Sequence, residues 1–321
     1  MTKDQAWWEQ RIAHRIIPAV PVPLIECGCL HPEAQEDYAA WLSEQPIAGV
    51  AVWAHTGRGL HLLPEMADEV MRSWRAAMGP ERVVVAGVGG GANDDTPERW
   101  TAATISMAER ALKLGADGFL VYPPVICRGK PDEHERVVAH HRKLAELDAP
   151  MIAFYLYEPS GGISYRPETL REILSLPQVV GIKMATLDSV MTFQEVARML
   201  KEEFPHLILI TGEDRMLGYS LMMGARAALI GMGAVCTKLQ ADMFDAYFAG
   251  RGDLFLKLCR QVDLLGKTLF AKPVEQYIIR VVWALAACGV IPEAAASDPW
   301  APTLARSEIE RIKAVVREVG G

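Results

Sequence analysis

Long apolar runs are missing from this 321-residue sequence, and no segment reaches the roughly 18 to 20 consecutive apolar residues that a membrane-spanning helix needs. Basic clusters are missing as well. Lys and Arg number 33 against 40 Asp and Glu, for a formal net charge of -7, and no Lys/Arg run supplies the concentrated positive face that nucleic acid requires. Cysteine is sparse: the six residues are scattered, with Cys27 and Cys29 the only close pair, which is neither a disulfide framework nor a spaced zinc set. The N-terminal stretch "MTKDQAWWEQRIAHRIIPAV" mixes charge with tryptophan and lacks the uninterrupted apolar core and small-residue cleavage site of a signal peptide, so a reducing cytoplasm is expected. His134, His140 and His141, in "EHERVVAHH", lack the H-E-x-x-H spacing that aims two imidazoles at one ion. They read as a solvated helix face, and no metal site is expected.

What is present is apolar material in short pieces. Half of the residues are hydrophobic and 23% are charged, ample for a large globular core. Eight strand-like runs recur: "IPAVPVPLI", "IAGVAVWA", "RVVVAGVG", "DGFLVYP", "PMIAFYLY", "QVVGIK", "HLILITG" and "ARAALIG". Between most of them lie patterns with a 3.6-residue apolar stripe, such as "LLPEMADEVMRSWRAAM" and "LDSVMTFQEVARMLKEEF". Eight strand-plus-helix units of roughly thirty residues predict a (β/α)8 barrel. A doubly wound sheet is the competitor, supported by "GVGGGA" at 87–92, but no acidic residue ends the next strand to hold a ribose, and the run reads as a barrel loop. After residue 250 only helical patterns remain, with Pro273 placed to open one of them. The expected organisation is residues 1–245 as barrel with a short N-terminal helix, and 246–321 as a C-terminal helical extension.

On such a scaffold the working groups project from the carboxyl ends of the strands. "AHTGRG", "GGGAND", "YEPSGG" and "TGED" stand at such ends, and so does Lys183 in "VVGIKMAT". A lysine amine held among apolar strands has its charged form disfavoured, so its pKa falls and a nucleophilic amine becomes available near neutrality. A stem buried along the barrel, with its ammonium snorkelling to water or paired with Glu213 or Asp214, is the alternative. Tyr155 and Tyr157 alternate to one face of the fifth strand, next to the sixth, and either could bring a phenol to Lys183 for proton transfer.

In order and spacing, "AHTGRGLHLLPEMADEV", "FYLYEPSGGISYRPETL", "VVGIKMAT" and "ILITGED" resemble the dihydrodipicolinate synthase / N-acetylneuraminate lyase family of class I aldolases. The resemblance covers nearly the whole chain. Its most specific component is the interval from Tyr155 to the Gly-Ile-Lys lysine, with "RPET" between them. It implies that Lys183 forms a Schiff base with a 2-oxo acid, usually pyruvate, and that Tyr155 shuttles protons. It further implies that His55, Thr56 and Gly57 bind the substrate carboxylate through main-chain N–H groups and the Thr56 hydroxyl, and that Thr186, Gly212, Asp214 and Ile230 complete the substrate site. No metal or organic cofactor is needed, because the protonated imine is the electron sink. The implied partners are a small 2-oxo acid and an aldehyde, and the implied assembly is a homotetramer built from dimers.

The sequence departs from the synthase pattern at several positions. The Thr-Thr-Gly of the synthase becomes His55-Thr56-Gly57, its paired tyrosines after the fourth strand become Pro124 and Val125, and "PSGG" carries no arginine for a second carboxylate. The neuraminate branch's serine after the eighth strand is Met232. Trp53, Val125, Leu156 and Met232 suggest an acceptor pocket less polar than a polyol requires, and His55 stands where it could replace the missing relay hydroxyl. Three activities remain open: a lyase or aldolase at a 2-oxo acid, a dehydratase of a deoxy sugar acid, and a binding barrel without turnover.

Overall fold

The computed structural model describes residues 3–320, so positions 1, 2 and 321 of the expected boundaries lie outside it. Eight strands, Ile16–Pro18 (β1), Gly49–Val52 (β2), Val83–Val88 (β3), Gly118–Val121 (β4), Met151–Leu156 (β5), Val179–Ala185 (β6), Ile208–Thr211 (β7) and Ala227–Ile230 (β8), alternate with helices. All the pairings are parallel, in the order β1-β8-β7-β6-β5-β4-β3-β2. The ring closes through a parallel bridge from Ala19 to Ala51, reinforced by the Val20 N–H donating to the Ala51 carbonyl at 3.1 Å. β1 is shorter than its apolar run because Pro18, Pro21 and Pro23 lack the N–H a ladder needs.

Side-chain alternation divides the apolar core in two. Ile17, Ala51, Val85, Leu120, Phe154 and Ile210 belong to an inner cluster fed by the strands. The larger outer cluster lies between the strands and the helices around them. The helix Gln5–Ile12 contributes Trp8 and Ile12 to the inner cluster. Trp8 lies so close to the start of β4 that a Cβ on Gly118 would sit 2.8 Å from its ring, and it plugs the amino end of the barrel. The opposite, carboxyl end is where the polar residues gather.

Three expectations about helices change. Pro273 opens a 3-10 turn, Val274–Gln276, and the helix proper starts at Tyr277 and runs to Ala287. The helix Thr237–Phe248 spans the expected boundary at 245, and the chain turns at Gly250 instead. His140 and His141 are buried rather than solvated. They share one face of the helix Glu133–Ala145 with Val137 and Leu144, at the helical spacing of a core stripe. His140 Nδ1 lies 2.9 Å from the Thr101 hydroxyl, and His141 Nδ1 donates to the Val137 carbonyl at 2.8 Å. His134 is half-buried beside the Thr169 hydroxyl at 2.9 Å and the Glu172 carboxylate at 3.1 Å.

Candidate active site

β6 carries Lys183 on its inner face, between Phe154 of β5 and Ile210 of β7 in register. The side chain is 6% exposed, and its Nζ lies 4.3 Å from the centroid of the Phe154 ring. Room for it comes from Gly212, just past β7, where a Cβ would stand 2.7 Å from the Lys183 Cε and 2.9 Å from the Met184 carbonyl. Burial lowers the Lys183 pKa from 10.5 to about 8, with Asp214 and then Glu213 pulling it back towards the charged form. The free amine is therefore about 3 kcal/mol easier to reach at pH 7 than that of an ordinary lysine.

Neither acid forms an ion pair with Lys183 among the described residues. Glu213 accepts from the Thr186 N–H (2.6 Å), the Thr186 hydroxyl (2.7 Å) and the Leu187 N–H (2.8 Å), so it braces the turn after β6. Asp214 accepts from the Met232 N–H at 2.7 Å and fixes the turn after β8. Burial raises both carboxyls to about 7. The amine and the two acids thus change charge within a narrow range around neutrality.

After β2 the chain makes the 3-10 turn His55–Gly57. Gly57 closes it on the Ala54 carbonyl at 2.9 Å, in a place where a Cβ would meet the Val20 carbonyl at 2.7 Å. The Thr56 hydroxyl lies 2.9 Å, and His55 Nδ1 3.0 Å, from the hydroxyl of Tyr277. Burial, followed by the charges of Arg58 and Lys183, lowers the His55 pKa to about 3 and keeps the imidazole neutral. The next residue, Arg58, has a left-handed backbone (φ 52) and grips Asp298 with two guanidinium nitrogens, at 2.6 and 3.2 Å. Tyr277 and Asp298 both come from the helical extension, and the sequence reading missed both.

Lys183, Thr56, His55, Gly212 and Asp214 converge at the carboxyl end of the barrel, and Thr186 stands one bond behind them through Glu213. Two expected members do not join them. Tyr155 pairs in register with Met184, not with Lys183, and its side chain lies in the outer cluster, edge-on to Tyr165 with centroids 5.7 Å apart. One residue along a strand reverses the facing, so Tyr155 and Lys183 project to opposite sides of the sheet. Tyr157 lies beyond the strand, and both tyrosines line a polar cleft of about 330 Å³ with Glu158, Ser164 and Asp188. Ile230 likewise packs outward, and its carbonyl accepts the Ala19 N–H at 2.9 Å.

The expected apolar lining is also redrawn. Trp53 faces outward and donates its indole N–H to the Ala67 carbonyl at 2.9 Å, and Met232 belongs to the outer cluster. Leu156 is on the inner face, in register with Ala185. Tyr122, Phe154, Leu60 and Leu187 accompany it there. The Tyr122 hydroxyl donates to the Trp53 carbonyl at 3.1 Å. The inner wall around Lys183 is therefore apolar and aromatic on the β4–β5 side and acidic on the β7–β8 side.

The sequence profile of the "Dihydrodipicolinate synthetase family" matches residues 13–318. The 4-hydroxy-tetrahydrodipicolinate synthase of Prochlorococcus marinus (strain MIT 9313) is 30% identical over 259 residues, 80% of this chain and 80% of that one. Among solved structures, a monomeric dihydrodipicolinate synthase variant superposes with a TM-score of 0.84 at 22% identity, covering 98% of both chains. The N-acetylneuraminate lyase from Mycoplasma synoviae superposes with a TM-score of 0.77 at 18% identity, covering 97% of this chain and 98% of that one. The chain belongs to the dihydrodipicolinate synthetase family. Carbon–carbon lyase chemistry through a lysine Schiff base is the reaction class of that family, and the buried lysine described above suits it.

Proposed function

We propose that Lys183 is the imine-forming nucleophile of a lyase that makes or breaks a carbon–carbon bond beside the carbonyl of a 2-oxo acid, with pyruvate as the donor half. The observation that carries this reading is the inward amine of Lys183, 6% exposed and lowered to about 8. Its free form attacks the ketone. Loss of water gives the protonated imine, which accepts the electron pair of the breaking C–C bond and releases an aldehyde and an enamine. Protonation and hydrolysis of the enamine release pyruvate and restore the amine.

Thr56 and the turn after β2 bind the 2-oxo acid carboxylate, since oriented N–H and hydroxyl donors favour an anion without a basic side chain. The aldehyde half is apolar or aromatic in this reading, because Phe154, Leu156, Leu60 and Leu187 form the wall it meets. Part of the same proposal is a homotetramer in the cytoplasm. Six free cysteines accord with a reducing setting, and the exposed Met191 and Met222, 71% and 54%, are apolar surface that a partner subunit would cover.

The test is to mix the protein with pyruvate, reduce with borohydride and map peptides. The expected result is a mass increase on the Lys183 peptide that disappears in Lys183→Ala. A label elsewhere, or none, would remove the nucleophile from the proposal. Unreduced enzyme given pyruvate together with benzaldehyde or, in parallel, a polyhydroxylated aldehyde should turn over the aromatic one faster, and sedimentation velocity reports the assembly.

A further inference from the structure

An imine lyase needs a proton carrier at two moments: when the carbinolamine loses its hydroxyl, and when the substrate hydroxyl gives up its proton as the C–C bond breaks. The phenol on β5 faces away from Lys183. The phenol after β4, Tyr122, is on the inner wall, but it donates to the Trp53 carbonyl, a group that returns no proton. Tyr277 differs from both. Its hydroxyl is bonded to two groups that exchange protons, His55 Nδ1 at 3.0 Å and Thr56 Oγ1 at 2.9 Å.

Resting on the lysine-imine reading above, we infer that the Tyr277 hydroxyl, delivered from the C-terminal extension of the same chain, carries protons to and from the substrate bound at Lys183. The ring is held on both sides. It stacks on Phe270 with centroids 4.6 Å apart and planes 14° apart, and its edge lies against Gly231, where a Cβ would stand 2.9 Å from both the Tyr277 ring and the Thr56 hydroxyl. Gly231 follows β8 directly, and the turn it opens is pinned by Asp214, the acid whose charge acts on both Lys183 and Tyr277. Burial keeps the phenol protonated at rest, and the neutral imidazole of His55 can accept its proton, with the Thr56 hydroxyl hydrogen-bonded to the same oxygen.

In the dehydration step the carbinolamine C–O bond breaks as the nitrogen lone pair forms C=N. The departing oxygen takes the Tyr277 proton and leaves as water, leaving the phenolate and the positive iminium. In the cleavage step the phenolate takes the proton of the substrate hydroxyl and the C–C electron pair passes into the enamine. The aldehyde departs and the phenol is restored, so no proton need come from bulk water between the two steps.

Tyr277→Phe keeps the stacking and the Gly231 contact and removes only the hydroxyl. With saturating pyruvate, the rate at which borohydride-trappable imine accumulates on Lys183 should fall about 100-fold, while half-saturating pyruvate stays within about threefold. A saturated rate within about threefold of wild type would overturn the inference. So would a loss fully recovered by more pyruvate, which would make the hydroxyl a carboxylate ligand. A wild type unlabelled at Lys183 would instead sink the parent reading, and this inference with it. Should Tyr277→Phe fail to fold, 3-fluorotyrosine placed at 277 preserves the ring. A saturated rate that moves with the phenol's acidity supports the inference, and an unchanged rate overturns it.

Discussion

Lys183 Nζ stands 4.3 Å from the ring centroid of Phe154, its register partner on β5. Two opposed effects meet at this nitrogen: burial favours the free amine, and the ring face favours the ammonium. A desolvated cation–π contact amounts to about 0.5–2 kcal/mol, or roughly 0.4 to 1.5 pKa units. Phe154→Leu should therefore move the ascending, acid-side limb of the imine-formation pH profile to lower pH by about that amount. An unmoved limb would show that the ring only fills space.

Lys183→Met should abolish trapping and stabilise the fold. The folded-state pKa, about 8, lies below the ordinary 10.5, so the unfolded chain binds the proton more strongly throughout that interval. The native lysine is destabilising in full below pH 8, and the penalty fades as pH rises to 10.5. At pH 7 the variant should gain about 3 kcal/mol in urea unfolding, and the gain should shrink at pH 10. A gain independent of pH would point to packing instead.

Gly212→Ala places a methyl 2.7 Å from Lys183 Cε and 2.9 Å from a backbone carbonyl. The lysine stem yields before the strand does. Imine formation should fall at least about 10-fold, the equivalent of about 1.4 kcal/mol in the barrier. The far-ultraviolet spectrum should not change, and equal rates would mean that the amine reaches the ketone from another rotamer.

Acid should destabilise the protein through histidines far from the lysine. Burial holds His141 at about 4 and His140 well below 6.5, so both are neutral in the native state. Their contribution is intact above pH 6.5 and is lost as pH falls from 6.5 towards 4, where only the unfolded chain takes the proton. His141→Leu should flatten that limb by about 3 kcal/mol, read as urea midpoints between pH 7 and 4. An equally steep limb in the variant would place the acid sensitivity elsewhere.

The barrel was legible because each strand run is apolar, short and followed by a helical stripe, and eight such units are what a closed (β/α)8 ring requires. Lys183 was legible because a charged residue inside such a run demands a reason. The facing of Tyr155 was not, because spacing along a chain does not reveal parity across a sheet, and the β5–β6 register shifts between Met151 and Ile152. A one-residue slip reverses every side chain beyond it. The burial of His140 and His141 could have been read from their spacing with Val137 and Leu144, had the imidazoles been allowed on an apolar face. Tyr277 had no local signal. It meets Thr56 only through the tertiary fold, 221 positions away in sequence.

The bond between Arg58 and Asp298 sets a timetable for synthesis on the ribosome. The loop after β2 emerges early, while its tether lies beyond all eight strands and most of the extension. A nascent chain, which folds from its N-terminal end, can complete the ring and bury its lysine while this loop still has nothing to hold it. A product truncated before residue 298 would keep Lys183 and Tyr277 but lose the carboxylate that grips Arg58, leaving the loop after β2 held only through Tyr277.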